Sequence, residues 1–425
     1  MNIPDKIKSY LNKKASNNWK IEQNYDRLFN YIIVVPAIAE HKNIPALINS
    51  LEQNSEKELN QTLLIIVVNI SSSSLPEIKE DNAMLLNYLR SIKSKINISI
   101  VDAATAGKEM DDKNGGVGLA RKIGMDIALT KFDYNSAYKN ILICTDADCI
   151  VNENYITAIA KEFKESNYEA AVVNFAHDIS GSDDNIKAII CYEIFLRYYV
   201  LGLQFAKSNY AFHTIGSTMM CTPEAYIKVE GMNKRKAAED FYFLEKLAKV
   251  YKIGEIKTTA VQPSGRGSWR VPFGTGRSVD RFLNDEKDEY NLYNPQSFVV
   301  LKSWLQIFFA EHKTDYETLI EKAGVINPHL ADFLISNKLN EFLSTTIKNN
   351  INSAEIKKQK YFWFDAFKTL KLIHYLRDVC YPDINMFDAV DKLCSMLKFE
   401  NNIIRTEPVP GIDVQKNYLL ILRNL

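Results

Sequence analysis

Asp146 and Asp148 stand one residue apart directly after the apolar run Ile141-Leu-Ile-Cys144. Carboxylates placed there offer hard oxygen ligands, which suit Mg2+ or Mn2+ bound through one or two side chains and the phosphates of a substrate. A second acidic pair, Glu239-Asp240, opens the amphipathic stretch 241–250. Acids in a first helical turn complement the helix dipole, and in a cleft a carboxylate can also serve as general base toward an attacking hydroxyl. A third group is cationic. Arg266, Arg270 and Arg277 lie among Gly, Pro and small hydroxyl residues over positions 262–277, so backbone amides and guanidinium forks could converge on an anion such as a diphosphate. Trp269 and Phe273 in that stretch could stack on a ring or pack inward. No Gly-x-x-x-x-Gly-Lys-Ser/Thr loop is present, and no Ser-His-Asp or Cys-His set stands out, which disfavours a covalent intermediate. His177, Asp178 and His213 read as hydrogen-bonded structure.

Positioning these groups falls to alternating strand and helix patterns. Residues 31–36, 63–68, 96–101, 141–144 and 168–175 read as buried strands, and 44–51, 78–92, 118–129 and 186–205 as helices. Pro45 fits the first turn of its helix. Strands alternating with helices predict an α/β fold: a Rossmann-like, mostly parallel sheet flanked by helices, with ligands at the strand C-termini. The text after about position 280 is Gly-poor and helical, with patterns at 298–309, 331–346, 362–376 and 386–397, which predicts an α-helical C-terminal domain. The expected boundaries are 1–28, a helical lead-in anchored by Trp19, Tyr25 and Phe29, then 29–280 and 281–425. Residues 262–277 are expected to be an irregular seam.

The chain has 425 residues, 46% of them hydrophobic, enough for two or three cored domains. Lys plus Arg and Asp plus Glu both count 52, so no global field draws it to nucleic acid. Six scattered cysteines without a Cys-x-x-Cys pair argue against a zinc site or a disulfide framework. A cytoplasmic location is expected, since the charged N-terminus lacks a signal-like apolar core. In the apolar window 188–206, Glu193 and Arg197 at i,i+4 spacing predict a surface ion pair rather than a transmembrane segment. Peripheral membrane contact by its aromatic face stays open, with core packing the favoured reading.

Four separated pieces resemble family 2 glycosyltransferases of the GT-A fold over roughly residues 30–275. They are Val35-Pro-Ala-Ile-Ala-Glu40 with Asn43, Asp146-Ala-Asp148, the segment 216–231 beginning Gly-Ser-Thr-Met-Met, and Ala238-Glu-Asp240. The resemblance implies a nucleotide-sugar donor, Mn2+ or Mg2+, and direct displacement with inversion onto a saccharide, lipid-linked or other hydroxyl acceptor. It places Pro36, Ala37, Glu40, Asn69, Arg121, Asp146, Arg266 and Arg270 at the donor, Asp148 and Asp146 at the metal, and Asp240 as catalytic base with Glu239 as its alternative. Departures exist. Asn69 ends the second strand where relatives commonly carry Asp, and its amide both donates and accepts, so the base is left open. In Gly118-Leu-Ala-Arg-Lys-Ile-Gly124, Lys122 replaces the usual Asn, and no histidine lies between His213 and His312 to add a metal ligand. The rival readings are a nucleotidyltransferase on a related sheet, which the Glu-Asp helix disfavours, and a nucleotide-sugar-binding protein without turnover, which Asp148 and Asp240 disfavour.

Overall fold

The computed structural model describes residues 3–16, 18–267, 274–286, 288–310, 315–348, 352–399 and 401–425. It divides into two compact units, Met1–Asp178 with Thr214–Arg277, and Ile179–His213 with Ser278–Leu425. The second unit therefore takes in the aromatic helix that the sequence alone assigns to the first.

In the first unit the β-branched runs become the strands β1 (Tyr31–Ala37) and β2 (Thr62–Asn69), with every residue of β2 buried. Continuous Val, Ile and Leu suit central parallel strands covered on both faces. β3 (Asn97–Ala103), β4 (Ile141–Cys144), β5 (Ile150–Val151), β6 (Ala170–Phe175), β7 (Met219–Cys221) and β8 (Gly254–Gln262) complete one sheet of order β3-β2-β1-β4-β7-β6-β8-β5. β3, β2, β1 and β4 run parallel, as do β6 and β8, whereas β7 and β5 run against their neighbours. The sequence does not announce β5 and β7, because two or three residues carry no period. Pairing of Pro36 with Val67 and of Val34 with Cys144 sets the C-terminal ends of β1, β2 and β4 side by side. That edge is where open α/β sheets take ligands.

Ahead of the strands lies α1 (Asp5–Lys14), and between them are α2 (Ile44–Leu51), α3 (Glu56–Asn60), α4 (Pro76–Ser91), α5 (Val117–Ala128) and α6 (Tyr155–Glu165). α5 packs on β1 and β2. It comes so close that a Cβ on Gly124 would stand 2.4 Å from Val34 Cγ1. The lead-in is helical only through α1. Beyond it the chain follows the edge strand β3, where Glu22 N donates to Ile100 O at 2.8 Å and the Tyr25 hydroxyl bonds both N and O of Ile98 at 3.0 Å. An open sheet edge offers backbone groups that a polar segment can pair. α1 is pinned by Tyr10, whose hydroxyl donates to Asp126 at 2.9 Å and accepts from Lys122 at 2.8 Å. The departure at Lys122 thus serves packing.

The second unit begins with α7 (Asp183–Phe205), capped by Ser182. Then α8 (Pro223–Lys228) and α9 (Glu239–Ala248) return to the first unit's residues. Of the expected seam over 262–277, β8 reaches Gln262 and α10 (Thr275–Leu283) has begun by its end, while 268–273 lie outside the described residues. Further helices of the second unit are α11 (Pro295–Ala310), α12 (Tyr316–Ile326), α13 (Pro328–Ser336), α14 (Leu339–Lys348), α15 (Ser353–Trp363), α16 (Ala366–Val379), α17 (Met386–Met396) and α18 (Ile412–Asn424). The single helix expected over 331–346 is two, broken at Lys338, whose φ of 64° is left-handed. Trp304 stacks on Phe308 in the core at 4.7 Å. Glu193 and Arg197 do pair, at 2.7 Å, yet they are buried, and Arg423 of α18 joins Glu193 at 2.8 Å. The expected surface pair is therefore an internal tie, since α7 is covered on that side. Among the described residues no helix is long and apolar enough to cross a membrane.

Candidate active site

β1, β2 and β4 each lead into polar groups at the shared edge. β1 ends in Pro36 and Ala37, and the turn after it passes through Ala39, held left-handed at φ 52°, to the buried Glu40. Asn82, on the buried face of α4, fixes this turn: its Oδ1 accepts from Ala39 N at 2.9 Å and its Nδ2 donates to Asn69 O at 3.0 Å. Asn82 belongs to none of the motifs visible in the sequence. A lone Asn among Ile78, Leu85, Leu86 and Leu89 on an inward face was the available signal. At the end of β2, Asn69 is 3% exposed and its Oδ1 is buried with no hydrogen-bond partner among the described residues. A buried orphan acceptor is costly, and it matches a donor brought by a ligand.

Beyond β4 the two aspartates meet different arginines. Arg266, on the segment after β8, donates from Nη2 to both Glu40 oxygens at 2.7 and 2.8 Å and from Nε to Asp148 Oδ2 at 3.1 Å. Glu40 also accepts from Asn43 Nδ2 at 2.5 Å. Burial works against the Arg266 charge, but Glu40 and Asp148 more than offset it and hold its pKa above the ordinary value. Arg270, Trp269 and Phe273 lie outside the described residues.

Asp146 pairs instead with Arg121, which stands on α5 and is 3% exposed. The Nη2 of Arg121 donates to Asp146 Oδ1, and its Nη1 donates to Glu239 Oε1. Both arms of Arg121 therefore end on carboxylates, one of them the Asp146 expected at the donor. Glu239 and Asp240 begin α9 after Ala238, left-handed at φ 57°. Glu239 is buried, Asp240 half-buried, and Asp240 Oδ1 accepts from Phe241 N at 2.7 Å. Burial pushes both carboxyls above the ordinary range, and Arg121 opposes that rise. A carboxylate raised in this way takes up a proton more readily than an ordinary one.

Two partly exposed carboxylates, Asp146 at 37% and Asp148 at 22%, are the hard donors present. Among the described residues no three His, Cys, Asp or Glu side chains are arranged to hold a metal ion by themselves. Mg2+ and Mn2+ need no such cage, since they keep several waters and accept one or two carboxylates with substrate phosphates. The donor set thus fits a cation that arrives with a phosphorylated ligand. His177 Nε2 bonds Thr275 Oγ1 at 3.1 Å, in keeping with a structural role.

No family model matches the chain, and no curated protein does. Among solved structures it is similar to residues 1–349 of S. aureus TarS in complex with UDP-GlcNAc, at 14% identity over 78% of this chain and 89% of that one, with a TM-score of 0.40. It is also similar to the mannosyltransferase PcManGT from Pyrobaculum calidifontis in complex with GDP-Man and Mn2+, at 13% identity over 88% of this chain and 92% of that one, with a TM-score of 0.38. At these scores the likeness decides neither fold nor activity.

Proposed function

We propose that the protein is a glycosyltransferase of the GT-A type, moving a sugar from a nucleotide-sugar donor to a hydroxyl acceptor with inversion. One observation carries the reading: Arg121 joins Asp146 to Glu239, so the two acidic motifs read separately in the sequence form a single cluster at the ligand edge of the sheet. Asn69, with its orphan Oδ1, would accept from the nucleobase, and Pro36 and Ala37 would wall the nucleoside. Arg266 would exchange its Asp148 contact for the donor diphosphate. Asp148 and Asp146 would hold a Mn2+ or Mg2+, whose chemistry when bound is to neutralise the departing diphosphate.

Asp240 would take the proton of the acceptor hydroxyl. The freed oxygen pair attacks the anomeric carbon from the face opposite the diphosphate, the carbon–oxygen bond to phosphate breaks, and the nucleoside diphosphate leaves with that electron pair. A saccharide or a lipid-linked hydroxyl meets this requirement equally, and such chemistry suits a cytoplasmic protein supplied with activated sugars. Incubation with a panel of nucleotide sugars and Mn2+ tests the reading. Release of nucleoside diphosphate supports it, pyrophosphate release would indicate nucleotidyl transfer, and binding without turnover would reduce the protein to a receptor.

A further inference from the structure

Arg121 was expected to reach the donor, yet both of its arms are taken by carboxylates of the protein. The side chain is 3% exposed, one arm is spent on Asp146, the other on Glu239, and its Nε is buried with no partner among the described residues. Three glycines hold it there. Gly124 seats α5 against Val34, a Cβ on Gly118 would stand 2.3 Å from Arg235 O and 3.0 Å from Glu239 Cβ, and one on Gly216 would stand 2.2 Å from Arg121 Nη2. The last contact is the telling one. The guanidinium lies in a slot that is open only because residue 216 lacks a side chain, and Gly216 belongs to the third motif segment. A planar fork can hold two carboxylates at once in fixed directions, whereas a lysine ammonium is a single point charge.

We infer that Arg121 is a positioning residue that clamps Glu239 to Asp146, occupying Glu239 and leaving Asp240 as the carboxylate presented to the acceptor. This rests on the transfer reading above. The clamp couples the donor side of the site to the base side through one guanidinium. It also explains why Glu239 and Asp240 can be neighbours with different tasks: one is bound by the arginine, and the other accepts from the amide of the next residue.

The test uses the full-length protein and two variants, Arg121→Lys and Gly216→Ala, the second pushing the guanidinium from its slot without removing it. Affinity for a nucleoside diphosphate with Mn2+ is read by calorimetry, and kcat for transfer is read separately. The clamp predicts kcat lower by about a hundredfold in Arg121→Lys and about tenfold in Gly216→Ala, with diphosphate affinity within about threefold of wild type. Affinity falling about tenfold at unchanged kcat would overturn it and return Arg121 to the donor. A thermal-unfolding double-mutant cycle between Arg121→Lys and Glu239→Gln reads the clamp without any turnover. Non-additive stabilities support it, and strict additivity would overturn it even where wild-type protein transfers no sugar and the transfer reading itself has failed.

Discussion

Asp102 near the end of β3 and the Asp146–Glu239–Asp240 cluster beyond β4 are both acidic sites at the C-terminal side of parallel strands, but the chain treats them differently. Asp102, with its side chain 2% exposed, accepts from Ala104 N at 3.1 Å, Thr105 N at 2.9 Å and Lys108 Nζ at 2.9 Å. Burial alone would raise its pKa, and these donors, the Thr105 amide foremost, instead hold it down at about 2. Glu239 shares one arginine with Asp146 while Asp240 accepts from the Phe241 amide, and burial leaves both carboxyls above their ordinary range. A carboxylate closed by its own loop is fixed as an anion. One that is buried but short of donors can exchange a proton, which is the condition a catalytic base requires.

The largest expected effect that would break this contrast is at Asp240. Asp240→Asn should lower transfer by about 10² to 10⁴-fold with little change in donor affinity, because a general base acts in the transition state. Glu239→Gln should cost less, and a reversed order of severity in steady-state kinetics would move the base to Glu239. Asp148→Asn should lower the rate by roughly a hundredfold and remove the Mn2+ dependence of donor binding, readable by calorimetry with and without Mn2+.

Stability against pH sharpens the comparison, because the two regions have opposite signs. Asp102 is depressed, so its contribution is present above about 3.8 and is lost as pH falls toward about 2. Glu239 is raised, so the native state is favoured below the ordinary value of 4.5 and loses stability as pH climbs through the raised value. In metal-free protein, Asp102→Asn should flatten the acid limb of the denaturation midpoint, by on the order of 2 kcal/mol at about 1.4 kcal/mol per pKa unit. Glu239→Gln should flatten the opposite slope toward neutral pH. The smallest effect is at Arg266, whose side chain is 36% exposed. Arg266→Ala should weaken a nucleoside diphosphate about tenfold and a free nucleoside hardly at all.

Much of the scaffold was legible because its signals are local. The β-branched runs at 31–36 and 63–68 and the apolar run 141–144 are strands in the structure, and the acidic pair follows the last of these as expected. What could not be read is non-local. The pairing of Glu193 with Arg197 was visible in their spacing, but its burial depends on α18, contributed by residues far along the chain. Arg121 looked like a ligand contact because an arginine in that motif has the right chemistry, and only the meeting of α5, β4, α9 and Gly216 shows where its two arms go. The break at Lys338 is a backbone event that an uninterrupted helical pattern conceals.

The most direct measurement is proton NMR of the anomeric signal during turnover of whichever nucleotide sugar the protein accepts, with Asp240→Asn in parallel. Wild-type protein should form one glycoside of inverted anomeric configuration while nucleoside diphosphate accumulates, and the Asn variant should bind donor but form almost none. Retained configuration, or a product signal undiminished in Asp240→Asn, would contradict this mechanism.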